Sequence, residues 1–423
     1  MIIHDPLAAT TQAANGAANG NEFAMPAATG IALSALNARV HASVREIPRD
    51  AWARLFGNCA ASWDYAAASE RMAALGFTFG AIGTYEGDTL IGAVPMFRLD
   101  YRLDQPLGPT FKAIGGWLDR HAPSWITMPV LGLGSPLSDQ CEMGFMPGLD
   151  ETRRRAVFSA LLDAMLRHAT TERIRVLVLK DLTDADQAWC AGDLAASGFS
   201  PIPSLPVATL DLAFASTDAY IASLLPKMRQ DLRRKLRQSA AVRIEYRDTI
   251  EGLEDEIAAL YAATHAHRKT SYDSFDDVPR DYFQQVMATA GGSARLQLMW
   301  VGVTLGGFNL FIVDRDRVIG KYLGLRYPLS REHNLYFVNW IEMVRYCIEH
   351  GHRTLHVGQS SYALKVRLGC KLHRSWVYCR HTGLVRGPLF RVLSQYAAFD
   401  RMDPDLRALG AEAPYADPDQ RAA

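Results

Sequence analysis

The chain reads as an α/β protein: two tandem units, each a mixed, mostly antiparallel twisted sheet flanked by helices. Two observations predict this. An element order of β–α–α–β–β–β–α–β–α–β occurs once before about residue 215 and again after it, repeated in pattern and not in identity. A length of 423 residues with 49% apolar and 21% charged residues is too long for one ordinary domain and rich enough to fill two cores. The expected organisation is a disordered arm over 1–37, a first unit over 38–214, a second over 215–390 and a polar tail over 391–423.

The arm is rich in Ala, Gly, Asn and Thr, without periodicity. Alternation at Val40, Ala42 and Val44 opens the first unit as a strand, and two short helices follow around Trp52–Phe56 and Tyr65–Leu75. Strands over 78–85 and 89–99 are joined by the tight turn Glu86-Gly87-Asp88. An irregular stretch leads to a strand over 125–133, a long helix over 149–170, and the buried-type strand RIRVLVL over 173–179. A helix over 186–196, stopped by Gly198, precedes a last strand ending near Leu212.

The second unit runs in the same order. It has a strand at 242–246, helices at 252–267 and 281–290, and strands at 295–302, 305–313 and 317–326. The long helix over 334–350 carries Leu335, Val338, Ile341, Val344 and Ile348 at three- and four-residue steps and ends at Gly351. A strand at 354–357, a helix at 361–368 and a strand at 373–380 complete it.

Composition narrows the function. Lys+Arg and Asp+Glu are both 45, so the chain as a whole has no electrostatic bias toward DNA. The six cysteines lack the spacing of a zinc site or redox dithiol, so no metal is expected and free thiols in a reducing compartment fit best. No apolar run is long enough to span a membrane, and the N-terminus lacks the pattern of a secretory signal, so a cytoplasmic location is expected.

Two local features carry chemistry. Residues 227–237 hold six Lys or Arg, with Met228, Leu232 and Leu236 in one stripe and Arg229, Arg233 and Arg237 in the next. Like charges at that spacing repel, so the helix either is a solvated face or meets an anion, and Arg229 and Arg233 are then the phosphate contacts. In VGQSSYALKVRLG, Gly358, Gln359 and Ser360 lead from a strand into a helix, the kind of junction that exposes backbone N–H groups to an anion or carbonyl. Tyr362 and Lys365 lie three apart on that helix, where tyrosine suits protonation of a leaving thiolate and lysine a carboxylate or phosphate; the alternative is a packed tyrosine and a surface lysine. His333, in the turn before the long helix, is the better-placed base, whereas His356 in an apolar strand reads as core. Asp273, Asp276 and Asp277 are either acceptor-lining or solvated.

Three consecutive antiparallel strands before a long helix and a β–α–β close give the order of the GNAT acyltransferase fold. Two such units, with the basic helix PKMRQDLRRKLRQ (226–238) and the pattern Gly358, Tyr362, Lys365, Gly369, resemble the Fem-type branch of that superfamily and its CelD-like acetyltransferase relatives. THAHRK, with His267 and Arg268, is similar to a His–Arg pair found at that position in the group. The resemblance implies transfer of an acyl group from a thioester donor, acyl-CoA or acetyl-CoA or an acyl carrier, to a small-molecule amine. Lys365, Tyr322, His267 and Arg268 are then substrate contacts beside the cleft between units. RYPLSREHN stands where ordinary GNAT enzymes carry a glycine-rich pyrophosphate loop, so acetyl-CoA as donor is left open. The rival readings are a Fem-type peptidyltransferase that takes aminoacyl-tRNA to a cell-wall precursor, and a non-catalytic anion-binding relative.

Overall fold

Apolar alternation in the sequence becomes two sheets, and the strand order within them decides where a site can form. The computed structural model describes residues 36–57, 63–102, 120–121, 127–267, 278–290, 292–384, 386–394 and 398–416. In the first half the strands are β1 (Leu36–His41), β2 (Thr78–Glu86), β3 (Thr89–Arg102), β4 (Thr127–Leu133), β5 (Gly144–Phe145), β6 (Val176–Thr183), β7 (Ser200–Pro203) and β8 (Val207–Asp211). The second half has β9 (Val242–Arg247), β10 (Ala294–Val301), β11 (Thr304–Asp314), β12 (Arg317–Leu325), β13 (Thr354–His356), β14 (Lys371–His373) and β15 (Ser375–His381).

The helices of the first half are α1 (Arg49–Phe56), α2 (Trp63–Ser69), α3 (Glu151–Thr171) and α4 (Asp184–Ala196). Then come α5 (Thr217–Ser223), α6 (Pro226–Gln238), α7 (Glu254–Ala266), α8 (Tyr282–Thr289), α9 (Leu329–Glu332), α10 (Leu335–Glu349), α11 (Tyr362–Arg367), α12 (Arg386–Ser394) and α13 (Pro404–Leu409). Local chemistry sets their ends. Asp150 caps α3 by accepting from Arg153 N–H at 2.7 Å, Thr183 and Asp186 form a capping box on α4, and Pro226 opens α6 where a missing N–H costs nothing.

The first sheet has the order β1-β2-β3-β4-β6-β15-β7, with β5 beside β3; the second runs β14-β8-β13-β12-β11-β10-β9. Each contains one parallel pair, β4 with β6 and β12 with β13, while the other neighbours are antiparallel. The expected mixed, mostly antiparallel pair of sheets flanked by helices is therefore what the chain forms.

Two strands differ from expectation. The strand ending near Leu212 was assigned to the first unit and 373–380 to the second. Instead β8 lies in the second sheet between β13 and β14, and β15 lies in the first between β6 and β7. Each sheet thus has a gap that only the other half fills, because an apolar strand records that it is buried and not which edge it joins. The core follows the same logic. Phe77, Phe97, Leu99 and Val130 of the first half share one cluster with Tyr261, Phe283, Leu296 and Phe308 of the second. The stretch from Asp403, expected as a polar tail, also folds back: Leu406 joins the second core, and Leu372 N–H donates to Pro414 O at 3.0 Å. Leu36 onward is a single compact unit. The expected arm lies outside the described residues except at its end.

Candidate functional site

β12 and β13 pair in parallel for three residues only: Arg317 with Thr354, Val318 with Leu355, and Ile319 with His356. Beyond that point β12 continues to Leu325 while β13 stops, so the strands part. At the parting the register of β12 against β11 slips, from Leu310–Tyr322 to Phe311–Gly320. Lys321 is the extra residue, a β-bulge that takes it out of the ladder.

The turn that carries the chain away from β12 uses the Gly-Tyr-Lys-Gly pattern. Gly358 has φ of +74° and Gly369 +91°, conformations that glycine adopts without strain. Between them, the Lys365 ammonium donates to Val357 O and to Gly358 O at 3.2 Å. The Tyr362 hydroxyl donates to Pro206 O at 2.8 Å. Tyr362 is fully buried and Lys365 only 4% exposed. The pair expected to face a ligand is thus buried, Tyr362 as the packed tyrosine of the alternative reading and Lys365 in contrast to its surface lysine. Their side chains turn inward onto backbone carbonyls, because a strand that ends abruptly leaves acceptors that must find donors.

A segment of the first half covers the mouth of the opening. Lys321 Nζ donates to Leu137 O at 2.9 Å and lies 5.3 Å from the Tyr65 ring centroid. Asp139 Oδ2 lies 3.7 Å from where a Cβ on Gly358 would stand. The Asp139 carboxylate is half-buried and makes no hydrogen bond or ion pair with the described residues. Burial pushes the Lys321 ammonium below its ordinary pKa, against the opposing pull of the Asp139 charge. Next to it, Arg317 binds Asp314 Oδ2 at 2.7 Å, Gln140 Oε1 at 3.1 Å and Glu142 Oε1 at 3.1 Å. Burial raises the Glu142 pKa, and Arg317 opposes that rise. Tyr322, expected as a substrate contact, is 8% exposed; its hydroxyl is 2.9 Å from that of Tyr282 and 3.5 Å from that of Tyr65. It therefore packs the seam between halves below the opening.

Residues 226–366 match the family model for an acetyltransferase (GNAT) domain, a span from the first residue of α6 to one past Lys365. FemX has 13% sequence identity to the chain, which it covers over 85% of this chain and 100% of its own, with a TM-score of 0.55. The fold is a tandem GNAT-like fold of the Fem type. A tandem GNAT protein from the clavulanic acid biosynthesis pathway aligns over 82% of this chain and 99% of its own at 14% identity and a TM-score of 0.48. L-PGS from Bacillus licheniformis aligns over 74% and 88% at 9% identity and a TM-score of 0.46. No curated protein matches the chain.

The remaining expected site residues fall in several places. Arg229 is half-buried and donates to Ala222 O at 2.7 Å, so it ties α6 to the end of α5. Arg233 and Arg237 are exposed, and their side chains make no hydrogen bond or ion pair with the described residues. Lys235 points to the start of α10, 3.6 Å from the Phe337 ring centroid, and Ser239 Oγ donates to His333 O at 2.7 Å. The end of the basic helix thus abuts the corner where RYPLSREHN replaces a glycine-rich loop. That corner cannot act as a pyrophosphate cradle: the amides of Ser330, Arg331, Glu332 and His333 all donate to carbonyls of residues 326–329. His333 Nδ1 is buried without a hydrogen-bond partner among the described residues, and no hydrogen bond joins it to Tyr362.

Gln359 Nε2 donates to Leu205 O at 2.7 Å, which holds the turn against the exchanged strand, while Ser360 is exposed. His267 is exposed, stacked on Tyr327 with centroids 3.9 Å apart. Arg268, Asp273, Asp276 and Asp277 lie outside the described residues. No group of three or more His, Cys, Asp or Glu able to hold a metal ion occurs among the described residues. Sequence reasoning missed Asp139 and Lys321. Lys321 left a signal, a lone lysine inside the apolar run VIGKYLGL; Asp139, in an irregular loop, left none.

Proposed function

We propose that the chain is an N-acyltransferase that moves an acyl group from a thioester donor to a small-molecule amine at the mouth where β12 parts from β13. One observation carries the reading: within the GNAT-matching span, a parallel strand pair opens at a bulge and faces a carboxylate with no described partner. Transfer needs a neutral amine, a polarised carbonyl and contact between them. Asp139 takes a proton from the acceptor ammonium, and the neutral amine nitrogen so formed then attacks the carbonyl carbon. A backbone N–H released by the bulge at Lys321 is the kind of donor that stabilises the oxyanion; the C–S bond then breaks, the nitrogen gives up its extra proton to the departing thiolate, and amide and thiol result.

Acyl-CoA or an acyl carrier is the donor in this reading, with its phosphates outside the occupied 326–334 turn. A second reading is favoured by one specific feature. Exposed Arg233 and Arg237 on α6, whose side chains have no ion-pair partner among the described residues, suit a polyanion, so aminoacyl-tRNA is the rival donor, with a cell-wall precursor as acceptor. The five described cysteines are free and buried, in keeping with a cytoplasmic location as part of this proposal, and no described helix is long and apolar enough to cross a membrane.

The test is turnover by the purified chain with a panel of acyl thioesters and amines, read by mass, beside a charged tRNA mixture. Asp139→Asn should lower kcat about 100-fold or more while donor binding stays within a few-fold. Full turnover by that variant removes Asp139 from the mechanism. Anion binding without turnover of any donor supports the non-catalytic relative instead.

A further inference from the structure

The first sheet carries a separate pocket at its β15–β7 edge, a hollow open to solvent of about 660 Å³ with that solvent space included. Ser200 on β7, Arg380 and His381 on β15, Thr382 after it, and Phe390 and Arg391 on α12 line it, and none of the described lining residues is acidic. His381 is 7% exposed. Its Nδ1 accepts from Gly383 N–H at 3.0 Å, which leaves the hydrogen of the neutral ring on Nε2. That Nε2 has no hydrogen-bond partner among the described residues. A buried donor without an acceptor is destabilising, so its presence in a pocket wall calls for an acceptor. The loop is shaped around the ring: a Cβ on Gly383 would stand 2.7 Å from His381 Cε1.

The other donors point to the same kind of acceptor. Arg391 is exposed, and its guanidinium makes no hydrogen bond or ion pair with the described residues. Arg380 donates from Nη1 to Ser197 O at 2.5 Å and keeps the rest of its fork. Two guanidinium groups, an imidazole N–H and two hydroxyls outnumber the acceptor sites of a carboxylate but suit a phosphate. The rest of the wall is apolar. Phe390 lies 5.9 Å from the His381 ring, and Leu384 is 96% exposed beside it.

We propose that this pocket binds a phosphate ester carried on an apolar group. The ester oxygens take the His381 Nε2–H and the Arg391 and Arg380 forks, and the apolar part lies against Phe390. The transfer site in the second sheet has no part in it.

The test uses the full chain labelled with 15N in histidine, titrated with inorganic phosphate, phenyl phosphate, and phosphatidylcholine vesicles with or without phosphatidylglycerol. The His381 Nε2 resonance should shift and saturate, with phenyl phosphate about tenfold tighter than phosphate if the apolar wall contributes as a buried ring does. Arg391→Gln should weaken binding about tenfold, the scale of one lost charge-assisted contact, with unchanged thermal stability. His381→Asn should abolish the local signal and weaken phenyl phosphate binding measured by calorimetry. Saturation by phenyl phosphate assigns a soluble ester, and saturation only by vesicles containing phosphatidylglycerol assigns a lipid headgroup. A His381 resonance unmoved by every probe up to about 20 mM, or equal affinity in Arg391→Gln, overturns the proposal.

Discussion

Replacing Lys365 with methionine separates a lysine that serves the fold from one that serves a ligand. Methionine nearly keeps the side chain's length and volume, so the cavity contribution is small. What is lost is an ammonium 4% exposed that donates to two carbonyls, Val357 O and Gly358 O. Hydrogen bonds from a charged donor contribute about 1.5–3 kcal/mol each, and a carbonyl left bare in the interior costs about 1–3 kcal/mol. Gly358 O keeps a partner in Ala208 N–H at 3.4 Å, while Val357 O sits at the abrupt end of β13. Removing the buried charge also returns part of the desolvation cost it carried. The balance is a loss of about 2–4 kcal/mol. Urea unfolding followed by tryptophan fluorescence should show a lower midpoint at unchanged slope. Donor affinity measured at low temperature on the folded variant should fall by less than about tenfold. A wild-type midpoint together with a collapse of donor binding would refute the argument, because it would mean the ammonium faces the ligand.

Two further outcomes follow from the same structure. Expressed separately, residues 36–215 and 216–423 should each be insoluble, since the first lacks β15 and the second lacks β8; expressed together they should purify as a one-to-one complex, and a soluble, folded single half would contradict the strand exchange. Lys321 gives a pH signature: burial lowers its folded pKa below the ordinary 10.5, so between the two values the unfolded chain holds more protons and stability rises with pH, with no contribution to the slope below the folded value. Lys321→Met should flatten that rise in urea midpoints taken across the alkaline range, and an identical rise in both proteins would count against a buried ammonium.

The sequence alone determined the main strands and helices of both halves and their order, though not the short β5 or the helices α5, α9, α12 and α13. Tight turns such as Glu86-Gly87-Asp88 and the apolar face of α10 are set by neighbours a few residues away, and those constraints are written locally. It also marked the Gly358–Gly369 stretch as special and put Tyr362 and Lys365 on one side of a short helix. Tertiary structure decided which way that side looks. Pro206, which receives the Tyr362 hydroxyl, arrives from the other half of the chain, and so does Asp139, the carboxylate at the mouth of the opening. The same holds for β8 and β15, whose apolar residues announce burial but carry no address for the edge they join. Periodicity encodes how far a side chain is from water, and only the closed fold fixes which distant groups share that dry space.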